Sequence, residues 1–296
     1  DFVDRHLLGQ RIELAANYES NSDGDVQHLS LQRPFYALDT RFAIGGSVER
    51  VDRVDPLYAL GEIDSQFRER SNALNLFGGW SSGLRDGWVR RWLVGYALDR
   101  REFDALPGAV ENGPLPENRA LSYPWIGVEI VQDEFSSLHN HDQIGRTEDF
   151  LLGTRFAAKL GYSSAGLGAD RDSLIYQASF DHGMTLSPQT MFTLSSTLDG
   201  RWDERGARGL WFDSSARYYH QQGEQWLLFA SLDANYTHAP DIERQLLLGG
   251  DNGLRGYPLR YQAGDASARF TVEERFFSDW YPFRLFRVGG AAFFDA

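Results

Sequence analysis

The residues best suited to chemistry lie near the C-terminal end of the chain, in and after residues 246–257, which read LLLGGDNGLRGY. Arg255 is the charged residue at the centre of this stretch, and the carboxylates Glu273 and Asp295 follow on two later strand-like segments. An arginine held between carboxylates makes charge-assisted, often bidentate hydrogen bonds that lysine does not reproduce. The chemistry that this set offers is therefore a latch between chain segments.

Glycines around the arginine give the backbone freedom to take positive φ at several points, as a loop folded sharply back on itself requires. The loop motif consists of Gly249, Gly250, Leu254, Gly256 and Tyr257. A Gly-rich surface loop with a solvated arginine has the same spacing, so the motif alone leaves both interpretations open.

The elements that must position this loop are strands. A composition of 14% aromatic residues, 30 glycines and only 10 prolines among 296 residues is typical of many strands joined by tight turns. The chain contains no run of about 18 apolar residues, so we expect no transmembrane helix. The absence of cysteine excludes a disulfide scaffold and a thiolate metal site.

Alternation of apolar and polar residues predicts eleven strands before the arginine loop and about thirteen in all, with connections that alternate between short and long. The predicted strands are 10–20, 25–33, 40–53, 66–80, 88–103, 121–135, 149–163, 173–185, 190–202, 209–221, 225–238, 267–277 and 284–295. Acidic clusters, such as those in 21–25 and 52–64, are expected at solvated loop tips.

One face of most predicted strands is apolar and the other is polar. In 225–238, Trp226 and Tyr236 end an apolar face as an aromatic girdle requires. A soluble sandwich has the same alternation, but strands of about ten residues match the length that crosses a bilayer. We therefore predict apolar residues outward, including Phe150, and the carboxylates Glu273 and Asp295 inward.

Three motifs in order resemble one family of bacterial outer-membrane proteins. The GG and LRGY of the loop, then Glu273-Glu274-Arg275-Phe276, then Phe293-Phe294-Asp295 are similar to conserved segments of the BamA/TamA assembly barrels and the two-partner secretion exporters, the bacterial surface antigen family. In that family the loop folds back into the barrel lumen, and its arginine pairs with acidic residues of the inner wall.

The resemblance implies an all-β, antiparallel transmembrane β-barrel of 16 strands, of which about 13 are present in 1–296. The last strands and the upstream periplasmic domains of the family are expected to be absent. The implied function is outer-membrane protein assembly, insertion or translocation. The implied partners are outer-membrane lipid, an unfolded client polypeptide and accessory periplasmic or inner-membrane proteins. The implied location is the bacterial cell outer membrane, and no cofactor is expected.

Other function classes receive little support from the sequence. No Ser/His or Asp/His set is marked out for an enzyme, and the segment 139–142, His-Asn-His-Asp, is predicted to be a turn and not a metal site. A net charge of -13 argues against nucleic acid as a partner. A passive porin, or a barrel that anchors a secreted domain, remains the alternative.

Counting strands from a periplasmic N-terminus also predicts topology. The connections 34–39, 81–87, 187–189 and 222–224 are expected to be periplasmic turns. The Gly/Pro-rich connection 104–118 is expected to be external. Two charged residues on apolar faces, Arg90 and Glu274, are expected near a membrane interface.

Overall fold

The computed structural model describes residues 1–106 and 114–296, and these are almost entirely strands and their connections. The strands are β1 (Phe2–Asp4), β2 (Glu13–Ser20), β3 (Gly24–Arg33), β4 (Phe42–Ala59), β5 (Glu62–Arg85), β6 (Trp88–Ala105), β7 (Arg119–Gln132), β8 (Phe135–His139), β9 (Thr147–Leu151), β10 (Gly153–Ser163), β11 (Ser173–Ser187), β12 (Thr190–Asp203), β13 (Gly206–Gln221), β14 (Trp226–His238), β15 (Leu247–Leu248), β16 (Gln262–Ala263), β17 (Ala266–Phe277) and β18 (Gly289–Asp295). The described helices are four single 3-10 turns of three residues each. None of them has the length and apolar character needed to cross a membrane.

Fourteen strands form one antiparallel sheet, in which each strand pairs with the next one except where the hairpins β8–β9 and β15–β16 lie between two partners. Its order is β1-β2-β3-β4-β5-β6-β7-β10-β11-β12-β13-β14-β17-β18. The all-β, antiparallel prediction is confirmed, and each of the thirteen predicted strands matches one strand of this sheet. The fourteenth is β1, three residues long and too short to show alternation in the sequence.

The outer face of the sheet is apolar, as the alternation predicted. On β4, Phe42 and Ile44 are 68% and 66% exposed, whereas Ala43 between them is buried. On β14, Trp226, Leu232 and Tyr236 are about half exposed. This parity results from the pleat, which sends successive side chains to opposite faces.

The sheet curls around the connection that follows β14. Tyr58, on β4, is hydrogen bonded to Gln245 of that connection, with its backbone N–H 2.8 Å from Oε1. Arg119, on β7, donates to Glu243 at 2.8 Å. Strands far from β14 in the sheet order therefore meet the segment that leaves β14, and polar residues line the inner face around it.

The prediction that 54–64 is a loop is wrong, although Glu62 and Asp64 beside the turn are exposed, as predicted for acids at a loop tip. Strands β4 and β5 continue through this stretch and turn at Leu60 and Gly61, both with positive φ (50° and 86°). Asp52 pairs across the two strands with Arg68 at 2.6 Å. Cross-strand ion pairs and a tight turn thus extend β4 and β5 to 18 and 24 residues, well beyond the roughly ten needed to cross a bilayer.

Two other strand predictions change at their ends. The predicted strand 149–163 breaks at Leu152, just before Gly153 with its φ of 134°. Phe150 therefore lies on β9 of an inner hairpin and not on the outer face. The predicted strand 284–295 begins only at Gly289. Pro282 and the positive φ of Phe283 and Arg284 hold the preceding residues out of the sheet.

The sheet has two ends with different connections. We call one end of the sheet the turn end, because it carries the connections 34–41, 86–87, 188–189 and 222–225. The loop end carries 60–61, residues 106 and 114–118, and 239–265. The predicted grouping of turns is confirmed, although 81–85 belong to β5. Of the predicted loop 104–118, residues 107–113 lie outside the described residues.

The two charges on apolar faces also lie near the turn end. Arg90 is exposed, two residues into β6. Glu274 accepts a hydrogen bond from Gln222 of the β13–β14 connection at 3.5 Å. The exposed Arg90 can therefore reach water, whereas Glu274 is half-buried and lies three residues before the end of β17.

Candidate functional site

The loop 246–264 is built as a small closed unit within the β14–β17 connection. Its base is the two-stranded pairing of β15 with β16. Its tip is closed by backbone hydrogen bonds from Gly250 to Pro258 and from Leu254 to Gly249, both 3.1 Å. The side chain of Asn252 accepts from the Gly249 N–H at 2.7 Å. The tip therefore has a defined shape that presents Arg255.

The glycines of the motif are required by close approach and by backbone angle. A Cβ on Gly249 would collide with the backbone of Pro258 to Arg260, and one on Gly250 would lie 2.5 Å from the Tyr257 carbonyl oxygen. Gly253 and Gly256 have φ of 98° and 84°, which L-residues rarely adopt.

The two remaining residues of the motif serve the tip in different ways. Leu254 is buried, with 8% of its surface exposed. Tyr257 has a half-exposed ring, and its backbone N–H donates to the Leu254 carbonyl at 3.2 Å. Leu254 therefore contributes a buried side chain to the tip, and Tyr257 contributes a backbone hydrogen bond.

Arg255 is brought together with both carboxylates that the sequence analysis named. Its Nε and Nη2 donate to Oδ2 and Oδ1 of Asp295, each at 2.7 Å, and its Nη1 donates to Oε1 of Glu273 at 2.7 Å. The guanidinium carbon lies 3.5 Å from the centre of the Phe293 ring. One planar cation thus binds two carboxylates and an aromatic face, which is a geometry specific to arginine.

The environment of this cluster is more enclosed on the wall side than on the loop side. The side chain of Asp295 is 3% exposed and that of Glu273 is 12% exposed, against 36% for Arg255. Thr271 donates to Asp295 Oδ1 at 2.9 Å. The hydrogen bond to Asp295 raises the pKa of Arg255 further above its ordinary value, so the cation is permanent.

Strand register explains why the two carboxylates meet. In the β17–β18 pair, Thr271 faces Asp295 and Glu273 faces Phe293. Residues two apart on a strand share a face, so Thr271 and Glu273 point to the same side as Asp295. The inward parity predicted for Glu273 and Asp295 puts both within reach of one loop residue.

A second set of anchors, which the sequence analysis missed, lies just before the loop. Glu243 and Asp241 contact Arg119 of β7 at 2.8 and 3.1 Å, and Asp241 also pairs with Arg201 of β12. Arg244 donates to Asp199 of the same strand at 2.8 Å. The dense polar run Asp-Ile-Glu-Arg-Gln at 241–245 was the available signal.

The loop is also held from the side by the extended β4–β5 hairpin. Arg260 is hydrogen bonded to the Tyr58 hydroxyl and lies over its ring, 4.4 Å from the centre. Its Nε also donates to Asp251 within the loop at 2.9 Å. The carbonyl of Leu259 lies 2.9 Å from the position of a Cβ on Gly61. The loop therefore contacts β4, β17 and β18 at once.

The His-Asn-His-Asp segment forms the tip of the β8–β9 hairpin, with Asn140 at a positive φ of 59°. Glu148 Oε2 accepts from the backbone N–H groups of 141–143 at 2.9 to 3.1 Å. Among the described residues, no group of three or more His, Asp or Glu side chains is arranged to hold a metal ion.

Comparison with known proteins identifies the fold. No protein-family model and no curated protein matches this sequence. Among solved structures, the chain is similar to BamA from Haemophilus ducreyi lacking POTRA domains 1-3, with a TM-score of 0.53 and 10% identity. The match covers 99% of this chain and 62% of the BamA chain. The chain therefore has the fold of a BamA-type outer-membrane barrel.

Proposed function

We propose that this chain is an outer-membrane barrel that assembles, inserts or translocates an unfolded client polypeptide, and that Arg255 latches the loop 246–264 inside the barrel for this work. In this assignment the 14-stranded sheet is the transmembrane wall. Outer-membrane lipid contacts its apolar face, and the client is handled within or beside it. The family's 16-strand closure, its upstream periplasmic domains and its accessory proteins stay predictions.

The observation that carries the proposal is the arginine site. Three side-chain hydrogen bonds of 2.7 Å join one loop residue to two carboxylates on neighbouring strands. A loop that only covered a pore would not need an arginine placed so specifically, because steric filling alone would serve. The site therefore favours a loop that has to be held in one position for the protein to act.

The filled interior also favours this proposal over a passive porin. The connection 239–265 is anchored to β4, β7, β12, β17 and β18 by ion pairs and hydrogen bonds. A passive porin requires an open polar channel. The connection 239–265 would therefore have to move before a polypeptide could pass through the interior.

The wall fits a membrane environment. The exposed apolar residues of β14 are bounded by Trp226 at the turn end and Tyr236 at the loop end. The Trp226 ring packs on Phe276 of the next strand, with ring centres 4.8 Å apart. Aromatic residues at both limits of an apolar band are the arrangement expected at the two bilayer interfaces.

The test is client handling by the purified protein in lipid vesicles. The probe is a urea-unfolded eight-stranded outer-membrane barrel, and its insertion is followed by heat-modifiable migration on gels. We expect vesicles with this protein to insert the probe faster than empty vesicles, and Arg255→Ala to lose most of that gain. A second probe, an unfolded secreted polypeptide, tests translocation by its protection from external protease.

A matched control separates the latch from a general loss of positive charge. Arg100 lies exposed on β6, and Arg100→Ala removes the same charge without touching the loop. Insertion and translocation at the empty-vesicle level by the unmodified protein would overturn the proposed function. Equal activity of Arg255→Ala and Arg100→Ala would overturn the role of the latch.

A further inference from the structure

The connection between β7 and β10, residues 133–152, is a folded hairpin at the turn end. Strands β8 and β9 pair over five residues each. At its base, Leu152 donates to the Glu134 carbonyl at 2.7 Å, and Gly153 takes a φ of 134°. At its tip, the Glu148 carboxylate accepts hydrogen bonds from three backbone N–H groups. It is therefore a defined element and not a slack turn.

This hairpin reaches across the inner side of the sheet. Its Asp142 carboxylate accepts from the Tyr219 hydroxyl of β13 at 3.1 Å and from Arg275 Nη1 of β17 at 3.0 Å. Its Ile144 side chain lies 3.0 Å from the position of a Cβ on Gly289 of β18. The base is on β7 and β10 while the tip is on β13, β17 and β18, so the hairpin spans the mouth at this end.

The wall beneath the hairpin is apolar, unlike the polar inner face near the loop. Met191, Tyr219, Leu227 and Phe229 are buried there, with Phe150 of the hairpin packed against them. The Phe150 and Tyr219 ring centres are 5.9 Å apart. Inward-facing apolar residues at a barrel mouth need a cover to keep them from water, and the hairpin supplies it.

Arg275 joins this hairpin to the arginine loop. Its Nε donates to Glu273 Oε2 at 2.7 Å, while Nη1 donates to Asp142 and to the His141 carbonyl at 3.0 and 2.8 Å. The other oxygen of Glu273 accepts from Arg255. Four alternating charges, Arg255, Glu273, Arg275 and Asp142, therefore run without a break from the loop to the hairpin.

We propose that the hairpin 133–152 is a plug that closes the turn-end mouth, and that Arg275 is the positioning residue that couples the plug to the Arg255 loop. Because Glu273 accepts from both Arg255 and Arg275, its loss weakens the hold on the loop and on the hairpin at once. The role in client passage rests on the proposed function above, but the docking of the hairpin is tested without any client.

The docking test uses cysteines at the hairpin tip and the facing strand. The chain has no native cysteine, so Ile144→Cys with Ala291→Cys gives a single thiol pair. Ala291 shares the inward parity of Gly289 and replaces it because a Cβ at Gly289 would press on the Phe276 carbonyl at 2.7 Å. A short, reducible bifunctional thiol reagent is expected to join the pair in the folded protein in vesicles.

The variants then locate what holds the hairpin. Asp142→Ala is expected to slow cross-linking by about tenfold or more, the factor for losing hydrogen bonds to a charged group. Asp149→Asn is the matched control, since Asp149 lies on the same hairpin and its Oδ1 accepts from Ser137 at 2.5 Å. Equal rates for Asp142→Ala and the parent would overturn the docking by Asp142.

A second pair of variants tests the coupling. Glu273→Gln removes the carboxylate between the two arginines and is expected to slow cross-linking as well. Asp295→Asn weakens the loop, but Asp295 contacts Arg255 and Thr271, so cross-linking is expected to stay near the parent rate. Because both variants disturb the same latch, equal rates for them would overturn the role assigned to Arg275. Unchanged heat-modifiable migration excludes unfolding as the cause.

The last measurement asks whether the plug lies on the client's path. The cross-linked protein is expected to lose handling of the unfolded eight-stranded probe and to recover it when the cross-link is reduced. Full handling with the plug locked would overturn the plug while leaving the proposed function intact. Failure of the uncross-linked parent to handle the probe would overturn the proposed function, and the cross-linking rates would still decide the docking.

Discussion

The guanidinium of Arg255 and the carboxylate of Asp295 meet in two parallel hydrogen bonds, from Nε to Oδ2 and from Nη2 to Oδ1, each 2.7 Å long. The two residues are 40 positions apart in sequence and lie on a loop and on β18. Because the Asp295 side chain is nearly buried, with 3% exposed, the carboxylate depends on this arginine for compensation of its charge. Loss of either partner therefore frees the loop and leaves the charge of the other partner uncompensated.

The first prediction is that Arg255→Lys releases the loop almost as fully as Arg255→Ala. Lysine keeps the charge but has a single ammonium, which cannot serve two oxygens of Asp295 and one of Glu273 in a plane. A lost hydrogen bond to a charged group costs about 1.5 to 3 kcal/mol. The measurement is chymotryptic cleavage after Tyr257 or Tyr261 in the folded protein, which we expect to rise by at least tenfold.

The barrel wall is expected to survive these changes. Heat-modifiable migration should be that of the parent, because the backbone pairing of β17 with β18 does not involve the arginine. Cleavage of Arg255→Lys at the parent rate would show that charge alone holds the loop. Arg100→Ala is again the control, with cleavage unchanged.

The second prediction compares two glycines of the loop. Gly253 and Gly256 both have positive φ, so alanine is strained at either, by about 1 kcal/mol. An added Cβ at Gly253 also collides with the Arg269 guanidinium, whereas one at Gly256 meets nothing within 4 Å. We expect Gly253→Ala to raise chymotryptic cleavage of the loop clearly more than Gly256→Ala. Equal effects would mean that the Gly253–Arg269 approach does not shape the tip.

The third prediction concerns pH. Burial of Asp241 would raise its pKa, but the hydrogen bond from Arg201 and the charge of Arg119 outweigh burial and lower it. A carboxylate with a lowered pKa in the folded state stabilises the fold above its ordinary pKa of about 3.9 and loses that contribution as the pH falls through the lowered value. We therefore expect loop protection to be constant from neutral pH down to about pH 4.

A protease that is active in acid, such as pepsin, can measure loop protection at pH values below this range. The parent should become more sensitive only below about pH 4, the ordinary range of an aspartate. The Asp241→Asn variant should be cleaved faster than the parent at every pH, and the increase in cleavage below about pH 4 should lack the part that Asp241 contributes. A midpoint for the parent near pH 6 would contradict the assignment, because it would point to a group of another kind.

The sequence predicted this site better than it predicted the elements around it. Period-two alternation is local, so the inward parity of Glu273 and Asp295 was available without any knowledge of partners. Their meeting with Arg255 followed from the motif resemblance. The anchors Asp241 and Glu243 were missed because the polar run at 241–245 marks the segment but does not identify its partners, which are far along the chain on β7 and β12.

The errors also have physical causes. The stretch 54–64 is acidic and was assigned to a loop, yet β4 and β5 stay paired through it, and Asp52 just before it forms an ion pair with Arg68 of the other strand. Phe150 continued an apolar alternation, but Gly153 interrupts the strand and turns Phe150 onto Tyr219. In each case the deciding factor was a long-range partner or a single backbone angle.

The fourth prediction is that the turn end and the loop end lie on opposite sides of the membrane. Ser22→Cys lies in the β2–β3 connection at the loop end, and Gly223→Cys lies in the β13–β14 turn, where a Cβ meets nothing within 4 Å. In intact cells an impermeant maleimide should label Ser22→Cys but not Gly223→Cys until the outer membrane is permeabilised. Labelling of both in intact cells would mean that these two connections are on the same side.

The last prediction is a partial rescue by exchange of charges. Arg255→Glu places a carboxylate beside Asp295 and Glu273, and like charges at this distance repel, so loop release should exceed that of Arg255→Ala. Adding Asp295→Arg restores an opposite pair and sets the new guanidinium near Glu273. We expect the double variant to regain part of the loop protection and of the client handling, with a coupling of about 0.5 to 3 kcal/mol between the two changes. Recovery should be incomplete, because Thr271, which donates to Asp295 at 2.9 Å, cannot donate to an arginine. A double variant as sensitive as the sum of the two single variants would show that residues 255 and 295 do not interact in solution.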